Sequence, residues 1–286
     1  MILLLLALQS APGTPRVTLA VNLQSPRVRE SSGVVVSRAH RGVLWTHNDS
    51  GDGPYVYATD LSGADRGAVR IRDARAVDWE DIALGPCPAA GGACLYIADT
   101  GDNEENRKSV VIYAVPEPDV PTGPADTARS ARASALRLRY PRGPDDVEAI
   151  YLSPRDSALY LVGKGRRGAV HLYRVPRGAW RGDTVVTASL VQALPIVTFA
   201  ALGRLVTGAG VRPDGRLVAI RTYAEIYFFV PGAGGRLAPS KRPVCNVAGL
   251  EVQGEAIDFL DDTTLVLTSE GGARTPPSLH AVRCPG

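Results

Sequence analysis

One motif recurs along the chain and limits what it can fold into. Glu30-Ser-Ser-Gly-Val, Glu80-Asp-Ile-Ala-Leu, Glu148-Ala-Ile-Tyr-Leu and Glu255-Ala-Ile-Asp-Phe each set one carboxylate ahead of a short, mostly apolar run. Thr207-Gly-Ala-Gly-Val is a fifth copy without the acid. Each copy is followed by a turn and a second strand-like run. A repeated supersecondary unit cannot bury its apolar face alone and must stack on its neighbours. When the units are all β, the arrangement that also protects their edges is a propeller. The pattern therefore predicts an all-β, five-bladed β-propeller in which the acids begin the innermost strands and face one channel.

The repeats give a strand map. Unit one is Ser31–Ser37, Val43–Asn48, Tyr55–Leu61 and Ala68–Arg72, and unit two is Glu80–Leu84, Cys94–Asp99, Val110–Val115 and Ala135–Tyr140. Unit three is Glu148–Leu152, Ala158–Gly163, Val170–Val175 and Thr184–Ala193, and unit four is Val206–Val211, Leu217–Tyr223, Glu225–Val230 and Arg242–Val247. Unit five offers only Glu255–Phe259, Leu265–Ser269 and Ser278–Arg283. The orphan run Val17–Leu23 is the candidate for its fourth strand, so the N-terminal strand closes the last blade and removes an exposed sheet edge. No segment keeps a helical period over ten or more residues. Pro116–Arg132, rich in Pro, Ala and Asp, reads as a long surface loop.

Composition narrows the class. With 286 residues, 45% of them hydrophobic, the chain can fill one large core. Its 32 basic and 29 acidic residues nearly balance, and no basic stretch is interleaved with aromatics, so nucleic acid is not an expected partner. Met1–Leu8 is apolar but too short to span a bilayer. It resembles the core of an export signal, although no Lys or Arg precedes Arg16, and a buried first strand is the competing reading. The expected organisation is an export segment over 1–15 and one propeller over 16–286, monomeric, without an integral membrane segment, and periplasmic or secreted. Four cysteines agree with an oxidising compartment. Cys87 and Cys94 lie at the facing ends of a hairpin and predict one disulfide, leaving Cys245 to pair with Cys284.

In a propeller the start of each innermost strand and the end of the next share one face. That places Glu30, Asp78, Glu80, Asp81, Asp145, Asp146, Glu148, Gln253 and Glu255 at one mouth. His47-Asn-Asp-Ser-Gly-Asp52, Asp99-Thr-Gly-Asp-Asn103, Lys164, Arg221-Thr-Tyr223 and Glu270 join them. So many carboxylates repel one another unless something neutralises them. Oxygen donors with little His or Cys suit a hard cation, Ca²⁺ before Zn²⁺. The candidate metal ligands are Glu30, Glu80, Glu148, Glu255, Asp49 and Asp99. Asp49, Asp99 and His47 are candidate catalytic groups. Lys164, Arg221, Asn48 and Asn103 are candidates for holding a small anionic molecule or a protein ligand. Competing with this, Asp, Asn and Gly are ordinary turn residues that cap their own loops, His47 can serve as a structural hydrogen-bonder, and Lys164 and Arg221 can simply pair with neighbouring acids. Trp79 reads as packing between blades. Gly163-Lys-Gly-Arg-Arg-Gly168 fits a dinucleotide pattern but lies between strands with no helix after it, and no Gly-x-Ser-x-Gly elbow occurs.

Five segments carry a family resemblance: His47–Asp52, Asp78-Trp-Glu-Asp-Ile82, Asp99–Asn103, Asp146-Val-Glu-Ala-Ile150 and Gln253-Gly-Glu-Ala-Ile257. Together they resemble a group of exported bacterial propellers. That group is loosely similar to the phytase-like and SdiA-regulated propellers and more distantly to the gluconolactonase (senescence-marker) and paraoxonase type. In the gluconolactonase type a strand-starting Glu and channel-facing Asn and Asp hold a divalent cation that activates an ester or lactone. By that resemblance Glu30, Glu80, Glu148 and Glu255 take the strand-starting position. Two functions follow as expectations: a divalent-metal-dependent hydrolase of a phosphoester, ester or lactone, or a non-catalytic binding propeller with a structural cation.

Overall fold

The computed structural model describes residues 13–286 apart from 90, 125 and 181–183. The apolar run Met1–Leu8 lies outside the described residues. Short runs of Val, Ile, Leu and Tyr, broken by turn residues, form five sheets of four or five strands. The innermost strands are Ser31–Val36, Trp79–Pro86, Val147–Leu152, Val206–Val211 and Gln253–Phe259. They pack side by side in that order, and the last meets the first, which makes the sheets five blades about one axis. Apolar clusters fill the interface between each blade and the next, with Trp45 and Trp79 between blades one and two and Tyr227 and Phe229 between blades three and four.

The ring closes as the orphan strand requires. Arg16–Asn22 pairs antiparallel with Ser278–Arg283, from Arg16 opposite Arg283 to Asn22 opposite Ser278. Both disulfides form, Cys87–Cys94 inside the first hairpin of blade two and Cys245–Cys284 between the outer part of blade four and the C-terminal end of blade five. The second closes the longer loop, 39 residues against 7 in sequence separation. In a chain-entropy account the shorter link stabilises by about 2 kcal/mol and the longer by about 4 kcal/mol. Cys284→Ser is therefore expected to lower Tm more than Cys94→Ser. Equal losses in calorimetry of the two variants would show that loop length is not what matters here.

The outer strands depart from the map. Pro116–Arg132 is not all loop: its end, Thr127–Arg132, is a fifth strand parallel to Ala68–Arg72. Thr184–Ala193 splits in two. Val186–Thr187 runs parallel to Ser134–Arg139 of blade two, and Ser189–Leu194 completes blade three. In blade four, Arg242–Val247 contributes only Cys245–Asn246, and Leu237–Pro239 supplies the other outer pairing. The common reason is edge protection: each added segment occupies backbone groups that an outer strand would leave open.

A register detail positions the site. Every innermost strand carries a bulge near its start, and the extra residue is Ser32, Glu80, Glu148, Thr207 or Glu255. A bulge leaves one residue unpaired and re-aims its side chain. Blade one therefore contributes Ser32, not Glu30, to the ring, and the apparent repeat Glu30-Ser-Ser-Gly is out of register by two. The ring is three acids and two hydroxyls. The Ser32 hydroxyl donates to the Glu80 carbonyl (2.7 Å) and the Thr207 hydroxyl to the Glu255 carbonyl (2.9 Å), tying each of those blades to the next. Deeper in the channel, buried Asp81 accepts from the Ile150 amide (2.8 Å) across the blade boundary, and Asp258 accepts from the Val36 amide (2.8 Å).

Candidate functional site

Two sets of carboxylates converge above that floor. Oxygens of Glu80, Asp146 and Glu148 all lie within 4.8 Å of one another, and so do oxygens of Asp49, Asp78 and Glu80. Glu80 belongs to both. Its bulge and that of Glu148 turn the two side chains inward from adjacent blades, while Asp78 and Asp146 sit two residues earlier on the same segments. Asp49 arrives from the end of the second strand of blade one. Glu80, Asp146 and Glu148 are buried, and Asp49 and Asp78 are half-buried.

Gly101 explains how the loop after the second strand of blade two fits over these acids. A Cβ there would stand 2.0 Å from Glu80 Oε1 and 2.5 Å from Asp78 Oδ2, so only glycine lets the backbone approach. In the similar loop of blade one, Gly51 has a φ of +85° and open space around it, so the two near copies do different work. The second acid of each caps its own loop. Asp52 accepts from Asn48 Nδ2, Tyr57 Oη and the Gly53 amide, and Asp102 accepts from the amides of Asn106 and Arg107.

Positive charge is scarce at the cluster. Lys164 Nζ donates to Glu148 Oε1 at 2.6 Å, and Arg166 Nε donates to Asp146 Oδ2 at 2.6 Å. Asp146 Oδ1 also accepts from the Asp102 amide at 2.9 Å. The remaining carboxylates are crowded and desolvated. Burial, then Glu148 and Asp49, holds Glu80 well above the usual carboxylate range. Burial pushes Glu148 up to about 8 against the opposing pull of Lys164. Burial and Asp49 raise Asp78 to about 6, and burial raises Asp49 itself. Glu255 is raised by burial and then by Glu148, and Glu270 reaches about 7 through burial, Asp49 and Glu30. Tyr223 lies in the same field, its phenol raised by burial and by Glu255.

The other sequence-derived candidates lie elsewhere. Glu30 is exposed and bridges to Glu270 at the rim. Asp99 is buried and committed to the Asp78 amide (3.2 Å) and Arg107 Nη2 (2.9 Å). His47 is fully buried, edge-on to Trp79, with Nδ1 on the Asn48 carbonyl; burial lowers it to about 4, and its Nε2 has no hydrogen-bond partner. Arg221 is fully buried against Glu251 (2.7 Å) and the Ala256 carbonyl (2.9 Å). A Cβ at Gly254 would meet its guanidinium at 1.9 Å. Asn48 spends its amide on the Arg29 and Glu30 amides, the Arg27 carbonyl and Asp52. Asn103 is exposed and accepts from Arg166. Thus Glu80, Glu148 and Asp49 come together, Glu255 and Lys164 border them, and Asp78 and Asp146, which the sequence places at the mouth but not among the candidate metal ligands, complete the two sets. Their repeated two-residue offset from Glu80 and Glu148 is the signal that points to them.

No family model matches the chain, and no curated protein matches it in sequence. Among solved structures it is similar to the PQQ-bound form of aldose sugar dehydrogenase from Streptomyces coelicolor, with a TM-score of 0.54 and 12% identity over 96% of this chain and 99% of that one. It is also similar to a glucose dehydrogenase, with a TM-score of 0.47 and 10% identity over 92% of this chain and 98% of that one. At 12% identity the first of these supports the propeller fold and nothing finer.

Proposed function

We propose that the protein binds a divalent cation, Ca²⁺, at the channel mouth and uses it in the hydrolysis of a phosphoester, ester or lactone. The observation that carries the reading is the Glu80–Asp146–Glu148 triplet with the Asp49–Asp78–Glu80 triplet beside it. Two oxygens bound to one calcium ion at about 2.3–2.6 Å each are at most roughly 5 Å apart, and the atoms of each triplet lie within 4.8 Å. All the donors are carboxylate oxygens, the chemistry a hard cation prefers. The raised proton affinities of Glu80, Glu148, Asp78 and Asp49 mark charge that the protein's own Lys164, Arg166 and Arg107 leave uncompensated.

A bound cation supplies Lewis acidity, polarising the scissile bond or acidifying a water. The protein's residues supply the rest. Glu80, Glu148 and Asp146 would hold the ion, and Asp49 and Asp78 lie beside them through Glu80. Lys164 keeps Glu148 oriented. Of the three candidate bases, His47 and Asp99 are sealed from the mouth, so Asp49, half-buried and facing the cluster, takes that role. The two disulfides and the absence, among the described residues, of any helix long and apolar enough to cross a membrane support a periplasmic or secreted protein.

Glu80→Gln is the sharper test, since Glu148→Gln also strips Lys164 of its partner. Calcium titration by calorimetry should show Glu80→Gln weakening affinity at least tenfold, about 1.4 kcal/mol, with the blades intact by circular dichroism. A wild-type protein with no divalent-ion affinity would sink the reading. Calcium binding without chelator-sensitive turnover of any phosphoester, ester or lactone would instead identify a binding propeller with a structural cation.

A further inference from the structure

Blade three carries a second, separate cavity on the same face, of about 260 Å³. Its wall holds three guanidinium groups, Arg142, Arg166 and Arg167, together with Asp145, His171 and Tyr173. Arg142 makes no hydrogen bond or ion pair among the described residues, and it is exposed. Arg166 stands on the partition between the cavity and the acidic mouth. Its Nε is on Asp146 and its Nη2 on Asn103. Arg167 pairs with Glu105. The remaining acid in the wall, Asp145, is engaged by its neighbours there: one of its oxygens accepts from Tyr173 Oη (2.5 Å) and lies 3.2 Å from His171 Nδ1. The backbone between the cationic residues is tightly built. Gly165 has a φ of +82°, and a Cβ there would stand 2.5 Å from Thr198 Cγ2 and 2.8 Å from Val170 Cγ2.

We propose that this cavity is an oxyanion subsite that takes the phosphate or carboxylate group of the ligand presented to the channel mouth. Guanidinium groups present planar arrays of N–H donors that match such oxygens, and charge-assisted bonds of this kind are the stronger ones. Arg142 contributes its full unpartnered charge, Arg167 can exchange Glu105 for the ligand, and Arg166 anchors the side nearest the mouth. The anionic ligand is thus held by these arginines, while Lys164 and Arg221, the cations that stand out in the sequence, are committed to Glu148 and Glu251.

The position of Arg166 adds a coupling, which rests on the cation site proposed above. Asp146 is shared between Arg166 and the acidic triplet. A cation that takes over the Asp146 charge frees the Arg166 charge to act on the cavity. Cation and oxyanion then strengthen each other, and by linkage the factor is the same in both directions.

The test is calorimetric titration of the full chain with inorganic phosphate, sulfate and acetate, first without divalent metal. Saturable binding of at least one is expected, with phosphate and sulfate preferred by a tetrahedral subsite and acetate by a carboxylate subsite. Arg142→Ala should weaken that binding about tenfold, the loss of one charged hydrogen-bonding partner, and leave calcium affinity in the absence of the anion unchanged. The wild type should bind sulfate several-fold more tightly with calcium present. Equal anion affinity in wild type and Arg142→Ala, or no saturable binding of any of the three anions, would overturn the subsite. Failure of calcium to bind would overturn the cation site and its coupling, while the metal-free comparison of wild type with Arg142→Ala still decides the subsite.

Discussion

Deleting residues through Asn22 is expected to abolish folding. Arg16–Asn22 supplies the outer strand of blade five, and without it the whole length of Ser278–Arg283 becomes an open edge. The loss is not confined to backbone pairing. Leu19 and Val21 pack against the cluster that joins blade five to blade one, alongside Leu23 and Val28. The same deletion removes Gly13, whose amide donates to the Val244 carbonyl (2.7 Å) and whose carbonyl accepts from the Asn246 amide (2.8 Å), beside the Cys245 disulfide. Losing one strand and its apolar face is comparable with the roughly 5–15 kcal/mol that separates a folded domain from its unfolded chain. The deleted protein should aggregate or melt without a cooperative transition. A soluble monomer with an unchanged Tm would show that the closing strand is dispensable.

The closing strand was legible because it obeys local rules. Its alternating side chains and its lack of a unit to belong to are sequence facts, and so are the turns that divide the other strands. What the sequence does not display is register. Glu30 begins a run that looks like its relatives, but the bulge in blade one falls at Ser32, and a shift of two residues moves the carboxylate from the channel to the rim. The outer strands were obscured for a related reason. Thr127–Arg132 and Val186–Thr187 pair in parallel with strands distant in sequence, so no local alternation announces their partners.

The site shows the same division. The repeated acids and the two Asp-x-Gly-Asp loops point to one face of the ring, since chain connectivity puts strand starts and strand ends together. Side-chain direction decides the rest. Asp99 stands opposite Trp79 as Asn48 stands opposite Ser31, and each accepts from two amides ahead of its inner strand; Asp49 therefore lies one place further along than Asp99 and faces Glu80, although the two Asp-x-Gly-Asp runs look alike. Arg221 is drawn inward by Glu251, thirty positions further along the chain, a pairing that composition and spacing leave invisible. Arg142 stands alone in a chain rich in arginine and carries no pattern, and Arg166 and Arg167 lie in the Gly163–Gly168 run, whose dinucleotide pattern points to a different chemistry.

The crowded carboxylates make a strong pH dependence the second large expectation. Without divalent cations the protein should lose stability as pH rises from about 5 to about 8. Glu148, with an ordinary value of 4.5, is pushed up to about 8 in the folded state, and Glu80 and Glu255 move in the same direction. Between those limits the native state holds protons that the unfolded chain has released. Stability from these groups is therefore fully present below the unfolded value and is lost as pH climbs through the folded one. A change of a few kcal/mol in a chain of this size corresponds to a fall in Tm on the order of 5–10 °C. Calcium should reverse the trend. At pH 8 the carboxylates are poised to bind it, and ligand at about a hundred times its Kd adds about 2.7 kcal/mol. At pH 5 protons compete for the same oxygens and the added ion should do little. Glu80→Gln separates this from a general effect of pH. The amide keeps the size of the side chain and removes one charge from the cluster, so the metal-free variant should be flatter across this range and gain less from calcium. Melting curves of both proteins at pH 5 and pH 8, with calcium and with chelator, make the comparison. A metal-free Tm that stays level across this range, or a calcium increment equal at both pH values, would mean that the acids at the mouth are neutralised in some other way.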